Sequence, residues 1–258
     1  MVITEAQLTA LLQAWLWPFV RIAALIMAAP VIGTRAVPPR VRIVLAVGMT
    51  AVLVPVLPAP DAIEPFSAAG LAVTVQQVLI GAILGLSLRF IFTAVELTGQ
   101  LLGQQMGLSF AAMVDPQSGS QVPIVSQFYV LLATLLFLSL NGHLLMLHAL
   151  AESFRTLPVG GIGVTQAGVG ALLAWSGELF THAVVIALPA ITALLIVNLA
   201  YGILARSAPQ LNIFAVGFPL TLLAGTVLMG LTLSNLPQQV STLIERALAT
   251  GQQILTTR

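Results

Sequence analysis

The chain has 258 residues, of which 59% are apolar and only 7% are charged, and its mean hydropathy is +1.06. Soluble domains carry about 25% charged residues, so this composition excludes an ordinary soluble domain and indicates a membrane protein. Nine basic residues, all of them arginines, nearly balance eight acidic ones, which leaves no basic field to attract nucleic acid and no polybasic arm for anionic lipid.

The N-terminal segment lacks both a basic region and a small-residue cleavage site, so we expect it to be retained as a helix and not cleaved as a signal peptide. Trp15 and Trp17 suit the membrane interface, where tryptophan is enriched. Packing against a neighbouring helix explains these two side chains equally well.

Six hydrophobic blocks follow one another along the chain, at residues 8–32, 41–57, 67–93, 124–151, 167–204 and 213–236. A helix needs about 20 apolar residues to span the hydrocarbon core. The second block is short, and the fifth is long enough for two passes if it breaks near Pro189 or Asn198. We therefore predict an all-α, multi-pass membrane protein of helical hairpins with roughly five to seven spans. We expect these to form a single domain over residues 1–258.

The last segment, residues 237–258, has the pattern of an amphipathic helix. Its apolar positions are Val240, Leu243, Ile244, Leu248, Ile254 and Leu255. Such a helix can lie on a membrane surface or on a partner protein.

Orientation follows from the arginines of the first loop. Arg35, Arg40 and Arg42 lie there, whereas the second loop holds Asp61 and Glu64. The positive-inside rule then places the first loop in the cytoplasm and the N-terminus outside.

Ionisable side chains also lie inside the apolar blocks, at Arg21, Arg89, Glu178 and His182. A charge at the centre of a bilayer costs about 2.5–3.5 kcal/mol on insertion scales, so these groups should face protein or water instead of lipid. Glu178 and His182 are four residues apart on one helix face, which is the geometry of a proton relay. A wetted position near the end of the block, or pairing with an arginine, explains them without a relay.

Catalysis and metal binding find no support in the sequence. There is no cysteine, and His143 and His148 have no partner at metal-ligand spacing. Phosphate-binding loops, nucleophile elbows and supported carboxylate pairs are also missing. We therefore expect no enzyme activity, cofactor or metal, and a protein that forms a path or a scaffold.

Glycines recur at four-residue spacing in the third block and after it. Gly81 and Gly85 form one pair, and Gly99, Gly103 and Gly107 form a stack of three on one helix face. Small residues at this spacing let a second backbone approach closely, either within the chain or between subunits.

Residues 105–123, QMGLSFAAMVDPQSGSQVP, are too polar and too rich in turn residues to span a membrane, yet they carry bulky apolar groups. With FLSLNGH at 137–143 and APQLNIFAVGFPLTL at 208–222, they resemble in order and spacing the FliR-type export-gate family of flagellar and injectisome type III systems. The similarity extends to PVIG at 30–33 and RTLPVG at 155–160 and covers essentially the whole chain. The NIFAVGFPLTL segment favours the flagellar branch.

The resemblance implies a helical export gate in the bacterial inner membrane, within the flagellar basal body. There a FliP-like part joined to a FliQ-like part would assemble with FliP, FliQ and FlhB to pass unfolded flagellar subunits. Hairpins of this family depart from ordinary membrane topology. A secondary transporter with helices broken at Pro189 and Pro219 is the alternative, and an intramembrane enzyme ranks third.

In a gate, we expect residues 105–123 to form a pore plug, in which Met106, Leu108, Phe110 and Met113 face the lumen and Asp115–Pro116 makes a turn. Gly107 and Gly119 would supply bending freedom. A loop packed under neighbouring helices is the simpler alternative.

Two further segments are expected to act in assembly as turns. The first is a bend at Asn141, Gly142 and His143. The second lies between hairpin arms, where prolines break helices and polar side chains satisfy the freed backbone groups, at Pro209, Gln210, Asn212 and Pro219.

Overall fold

The computed structural model describes residues 5–58, 63–108, 124–161, 163–207 and 213–256, and within these ranges the chain is helical without any strand. The α-helices are α1 (Glu5–Ala28), α2 (Pro39–Leu53), α3 (Ala68–Gln105), α4 (Ile124–Ser139), α5 (Gly142–Thr156), α6 (Gln166–Ser207), α7 (Ile213–Leu233) and α8 (Leu236–Thr256). A 3₁₀ turn, Val54–Val56, follows α2. The all-α prediction is confirmed.

Four helices of the described residues are long and apolar enough to cross a membrane: α1, α2 with its 3₁₀ turn, α3 and α6. Two bent pairs, α4 with α5 and α7 with α8, meet the same test if each pair is counted as one span, which gives up to 6. The chain is therefore a multi-pass membrane protein, as its composition predicts.

The expected break in the fifth block is wrong, because α6 is one continuous helix of 42 residues that contains Pro189 and Asn198. Pro219 likewise lies inside α7 and does not end it. A proline removes a single backbone hydrogen bond, and long apolar helices tolerate this where neighbouring groups satisfy the freed carbonyl. At about 1.5 Å per residue, α6 is about 63 Å long.

Helix α3 also continues beyond its hydrophobic block, from residue 93 to Gln105. The added residues, TAVELTGQLLGQQ, are less apolar but include leucine and glutamine, which favour helices. Hydropathy thus finds the apolar part of α3 and misses its polar end.

The described chain forms two compact units that each take up several separate segments. The first consists of Met1–Phe90, Asn141–Ser176 and Ile244–Arg258, and the second of Ile91–Leu140 and Gly177–Leu243. Helices α3, α6 and α8 contribute residues to both units. Neither unit corresponds to one continuous stretch of sequence.

In the first unit, α1 and α3 pack at the glycine pair. A Cβ atom at Gly81 would lie against the carbonyl of Arg21 and 3.0 Å from the backbone nitrogen of Leu25. At Gly85, it would lie 2.8 Å from the carbonyl oxygen of Leu25. The pair therefore makes a backbone contact within the chain, and any side chain at these positions would force the two helices apart.

Arg21 lies at the centre of the first unit and is fully buried. Its Nε donates to Oε1 of Gln77 on α3 at 2.7 Å, Nη1 to the Ser153 carbonyl at 2.7 Å, and Nη2 to the Leu157 carbonyl at 2.8 Å. The guanidinium also lies 4.1 Å from the ring centroid of Phe154. Leu157 follows the last residue of α5, so Arg21 supplies a donor to a carbonyl past the helix end. It is a second donor to the Ser153 carbonyl, which also accepts the Leu157 amide at 3.0 Å.

No carboxylate lies within salt-bridge distance of Arg21 among the described residues. The charge is held by neutral acceptors and an aromatic face alone. The sequence predicts that ionisable groups in the apolar blocks face protein or water: Arg21 faces protein, and Arg89 on α3 is exposed.

The predicted C-terminal amphipathic helix is present as α8. Most of its apolar face packs inside the chain and is not left for a membrane or a partner protein. Val240, Leu243, Ile244 and Ile254 are all buried within the chain. In the first unit, Ile254 packs on Gly168 of α6, where a Cβ atom would lie 2.8 Å from the Ile254 carbonyl oxygen. The amphipathic pattern of a helix predicts that its apolar face is covered, but it does not identify the residues or molecules that cover it.

The two N-terminal tryptophans have different surroundings. Trp17 is fully buried and donates through Nε1 to the Thr74 hydroxyl at 3.3 Å, so it belongs to the core. Trp15 is 42% exposed, and its position fits the interfacial role.

Replacing Arg21 tests its role directly. We expect Arg21→Met to lower the free energy of unfolding by about 3–5 kcal/mol, because buried acceptors on α3 and α5 lose their donors. Arg21→Lys should lose most of the same stability, since one ammonium group cannot reach separated acceptors as the guanidinium does. Thermal unfolding of the purified protein in detergent measures both, with exposed Arg246→Gln as the control. An Arg21→Lys variant that unfolds like the wild type would contradict this assignment.

Candidate functional site

The end of α3, which leads into the predicted plug at residues 105–123, packs closely on α4 in the second unit. A Cβ atom at Gly99 would lie 2.6 Å from Cα of Ser126 and 3.0 Å from the Val125 carbonyl oxygen. At Gly103, the same atom would meet Cβ of Val125 at 3.7 Å, an ordinary contact. The tight approach is therefore at Gly99, and it is made within the chain.

Gly107 does not share this helix face. Helix α3 ends at Gln105, and Gly107 has φ 77°, a left-handed conformation that side chains other than glycine adopt at a cost. Its amide donates to the Gln104 carbonyl at 3.0 Å. The glycine stack thus has two members, and Gly107 instead terminates the helix as glycines commonly do.

Met106 lies in the core of the second unit and is 4% exposed. Its side chain fills a notch at Gly225 on α7, where a Cβ atom would lie 2.9 Å from Sδ and 2.8 Å from Cε. We expected Met106 to face the lumen, whereas the structure buries its side chain inside the second unit. Met106 packs at the start of the predicted plug (residues 105–123), and Leu108 is half-buried.

The other plug residues, Phe110, Met113, Asp115 and Pro116, lie outside the described residues. Their place in the lumen stays a prediction. The described structure supplies the anchoring end of the segment, where the left-handed Gly107 follows the buried Met106.

Hydroxyl groups join the helices of the second unit, and the sequence gives little sign of them. Thr98 on α3 donates to the Ala183 carbonyl of α6 at 3.2 Å, and the Tyr129 hydroxyl of α4 bonds that of Thr232 on α7 at 3.2 Å. Hydroxyl side chains in apolar helices commonly form hydrogen bonds to neighbouring helices, and this tendency is all that the sequence offers for predicting such bonds. Which pairs meet depends on how the helices pack.

Glu178 and His182 face each other along α6 at 3.8 Å. The carboxylate side chain is 54% exposed, so this pair lies at a surface of the chain. Among the described residues, no group of three or more histidine and acidic side chains could hold a metal ion.

The bend predicted at Asn141–His143 coincides with the junction of α4 and α5. Asn141 has φ 57° and ψ 26°, in the left-handed region, and its carbonyl accepts the amides of Leu144 and Leu145. Asparagine tolerates this conformation better than most residues. Of the second turn, Pro209, Gln210 and Asn212 lie outside the described residues, and Pro219 lies within α7.

Comparison with known proteins gives the chain its relatives. A family model described as "Bacterial export proteins, family 1" matches residues 12–247. The chain is 44% identical over 227 residues to the flagellar biosynthetic protein FliR of Escherichia coli (strain K12), covering 88% of this chain and 87% of that protein.

Two further relatives carry the same name. FliR of Pectobacterium carotovorum is 47% identical over 221 residues, covering 86% of this chain and 84% of that protein. FliR of Bacillus subtilis (strain 168) is 33% identical over 227 residues, with 85% of each covered. The resemblance inferred from the three motifs is confirmed, including its flagellar branch.

The notch at Gly225 yields a matched pair of variants. In Gly225→Ala, the new methyl group should push the Met106 side chain out of the core and cost about 1–3 kcal/mol of stability. Gly230→Ala, on the same helix with nothing within 4 Å, should stay within about 0.5 kcal/mol of the wild type.

Peroxide oxidation followed by mass spectrometry reports Met106 exposure in both variants. Exposed Met27 and buried Met146 serve as internal references. Met106 should oxidise near the rate of Met146 in the wild type and faster in Gly225→Ala. An unchanged rate in Gly225→Ala would contradict the notch.

Proposed function

Because the chain belongs to family 1 of the bacterial export proteins, together with the FliR proteins of flagellar biosynthesis, we propose that it is a structural and gating component of the flagellar type III export channel. In this proposal it forms, with FliP and FliQ, the path taken by unfolded flagellar subunits. FlhB and the flagellar basal body are its further partners, and the bacterial inner membrane is its location.

The apolar surface of α6 supports an assembly of several proteins more than any other observation. Large apolar side chains that are 45% or more exposed recur along α6 from Leu173 (66%) to Leu204 (57%), while others on the helix are buried. Between these residues the helix rises about 47 Å, whereas the hydrocarbon core is about 30 Å thick. At a tilt of 40° the row still covers about 36 Å of depth. In this proposal lipid covers part of the row and other proteins cover the remainder.

Glu178 supports the same conclusion. It lies within the exposed row and is itself half exposed, although a carboxylate facing lipid is costly. The cost of exposing this carboxylate to lipid is avoided if the end of α6 that carries Glu178 lies against protein or water. This fits a gate that stands partly outside the bilayer, with a FliP-like and a FliQ-like part joined in one chain.

Gating would come from the plug at residues 105–123. An export channel must pass an unfolded chain and still hold back ions, and a hydrophobic constriction does so by dewetting and steric closure. In this chain Met106 is buried in its own unit, so the seal itself would be formed by Leu108, Phe110 and Met113. Asp115 and Pro116 would form the turn, and the segment starts from a fixed base at Gly107.

The alternative function, a secondary transporter, loses its main structural support. That alternative depends on helices interrupted at Pro189 and Pro219, and both prolines lie within continuous helices. The export role also leaves energy coupling to the partner proteins.

Site-specific labelling tests whether partners cover α6. The chain has no cysteine, so single variants Leu173→Cys and Leu204→Cys can be labelled in membranes with an impermeant maleimide. We expect at least one end to react when the chain is expressed alone and to be protected when FliP and FliQ are co-expressed. Leu188→Cys, midway along the row, should stay protected in both cases. Protection of both ends in the absence of partners would mean that lipid covers α6, contrary to the proposal.

The plug is tested by leakage through an assembled complex. Phe110→Ala, or deletion of residues 108–114, should let ions and small solutes pass while FliP and FliQ still co-purify with the chain. Phe66→Ala, a 94% exposed aromatic residue before α3, is the control and should remain tight. If the Phe110 and deletion variants are as tight as the control, the plug assignment fails, although membership of the assembly would stand.

A further inference from the structure

The loop between α1 and α2 has a strained backbone. Val31 has φ 63°, and the Ile32 amide donates to the Pro30 carbonyl at 2.7 Å, which closes a γ-turn around it. A positive φ is rare for a β-branched residue and costs about 1–3 kcal/mol. Such strain persists only where the surroundings fix the conformation.

Three sets of contacts fix this loop. Gly33 fits against the last carbonyls of α1, where a Cβ atom would lie 2.6 Å from the Met27 oxygen. The Thr34 hydroxyl donates to the Val31 carbonyl at 2.8 Å. Arg42, from α2, donates through Nη2 to the carbonyls of Thr34 and Val37, the latter at 2.8 Å. The loop therefore holds one conformation.

Arg35 and Arg40 are presented by this fixed loop. Both are exposed, and neither makes a salt bridge to any described residue. Arg42 is used internally, because it donates to the Thr34 and Val37 carbonyls of the loop on either side of Arg35. The sequence has no basic run here; Arg35 lies in this fixed loop, and Arg40 is the second residue of α2.

Helix α2 is apolar on nearly all sides and almost uncovered. Only Ala46 and Thr50 are buried, whereas Val44 and Val52 are 71% and 73% exposed. No charged residue occurs between Arg42 and Asp61. With the 3₁₀ turn, this segment rises about 28 Å, close to the thickness of the hydrocarbon core of about 30 Å.

We propose that α2 is a lipid-facing span and that Arg35 and Arg40 at its start bind the phosphate of an anionic phospholipid. A guanidinium pairs with phosphate through two parallel hydrogen bonds, and a rigid loop reduces the entropy lost on binding. An acidic protein would match the arginines but not a helix whose apolar side chains are mostly exposed and whose length matches the bilayer. The positive-inside rule places these headgroups on the cytoplasmic side. This inference does not depend on the export role.

Lipid titration of the full chain in neutral detergent tests the proposal. Native mass spectrometry would count bound phosphatidylglycerol and phosphatidylcholine for the wild type and for the double variant Arg35→Gln/Arg40→Gln. The double variant should bind phosphatidylglycerol about 30-fold more weakly, from about 1 kcal/mol per arginine. Phosphatidylcholine binding should not change, and inorganic phosphate should not compete at millimolar concentration.

The control is Arg155→Gln/Arg246→Gln, which removes the same charge from exposed positions on α5 and α8 and should bind like the wild type. Arg35→Lys/Arg40→Lys keeps the charge and should retain part of the affinity, which also guards against misfolding of the glutamine variant. Equal phosphatidylglycerol binding by both glutamine pairs would overturn the proposal. So would unchanged lipid binding together with loss of a co-purifying protein, which would identify an acidic protein partner.

Discussion

A charged side chain buried among apolar helices must find its hydrogen-bond partners inside the protein, and Arg21 is where this constraint shapes the first unit. The guanidinium reaches α3 through Gln77 and the end of α5 through two carbonyls, and Phe154 covers its face. A single side chain thus joins three helices that are far apart in sequence. Close contact between α1 and α3 at Gly81 and Gly85 brings Arg21 within reach of Gln77. No described carboxylate lies within salt-bridge distance of Arg21, so its position depends on the geometry of neutral acceptors.

The thickness of the bilayer is the second constraint, and it separates the helices into two kinds. Helix α2 with its 3₁₀ turn has the length of one hydrocarbon core and exposes most of its apolar side chains. Helix α6 exposes an apolar row that is longer than any single bilayer crossing requires. We therefore propose two environments for these helices, lipid for the shorter segment and protein for part of the longer one.

Much of the fold could be predicted from the sequence, because long apolar blocks leave few alternatives to membrane helices. The all-α class and the glycine pair at Gly81 and Gly85 follow from such patterns, and the three motifs led to the family. Continuity through Pro189 could not be predicted, since a proline ends one helix and is tolerated in another according to its neighbours.

The interior of the candidate site was harder to predict. A methionine suits a seal and a core equally well, and only the notch at Gly225 places Met106 in the core. The apolar face of α8 was evident, but its partners inside the chain were not. The sequence does not indicate the positive φ of Val31, because valine normally avoids that conformation.

We propose that this chain is completed by other proteins, which cover apolar surface that lipid cannot reach. Electron cryomicroscopy of the chain co-expressed with FliP and FliQ, in lipid nanodiscs, tests it most directly. We expect the row from Leu173 to Leu204 to extend beyond the lipid disc and to contact neighbouring subunits there. A map in which lipid surrounds the whole row, or in which the chain stands alone in its disc, would contradict it.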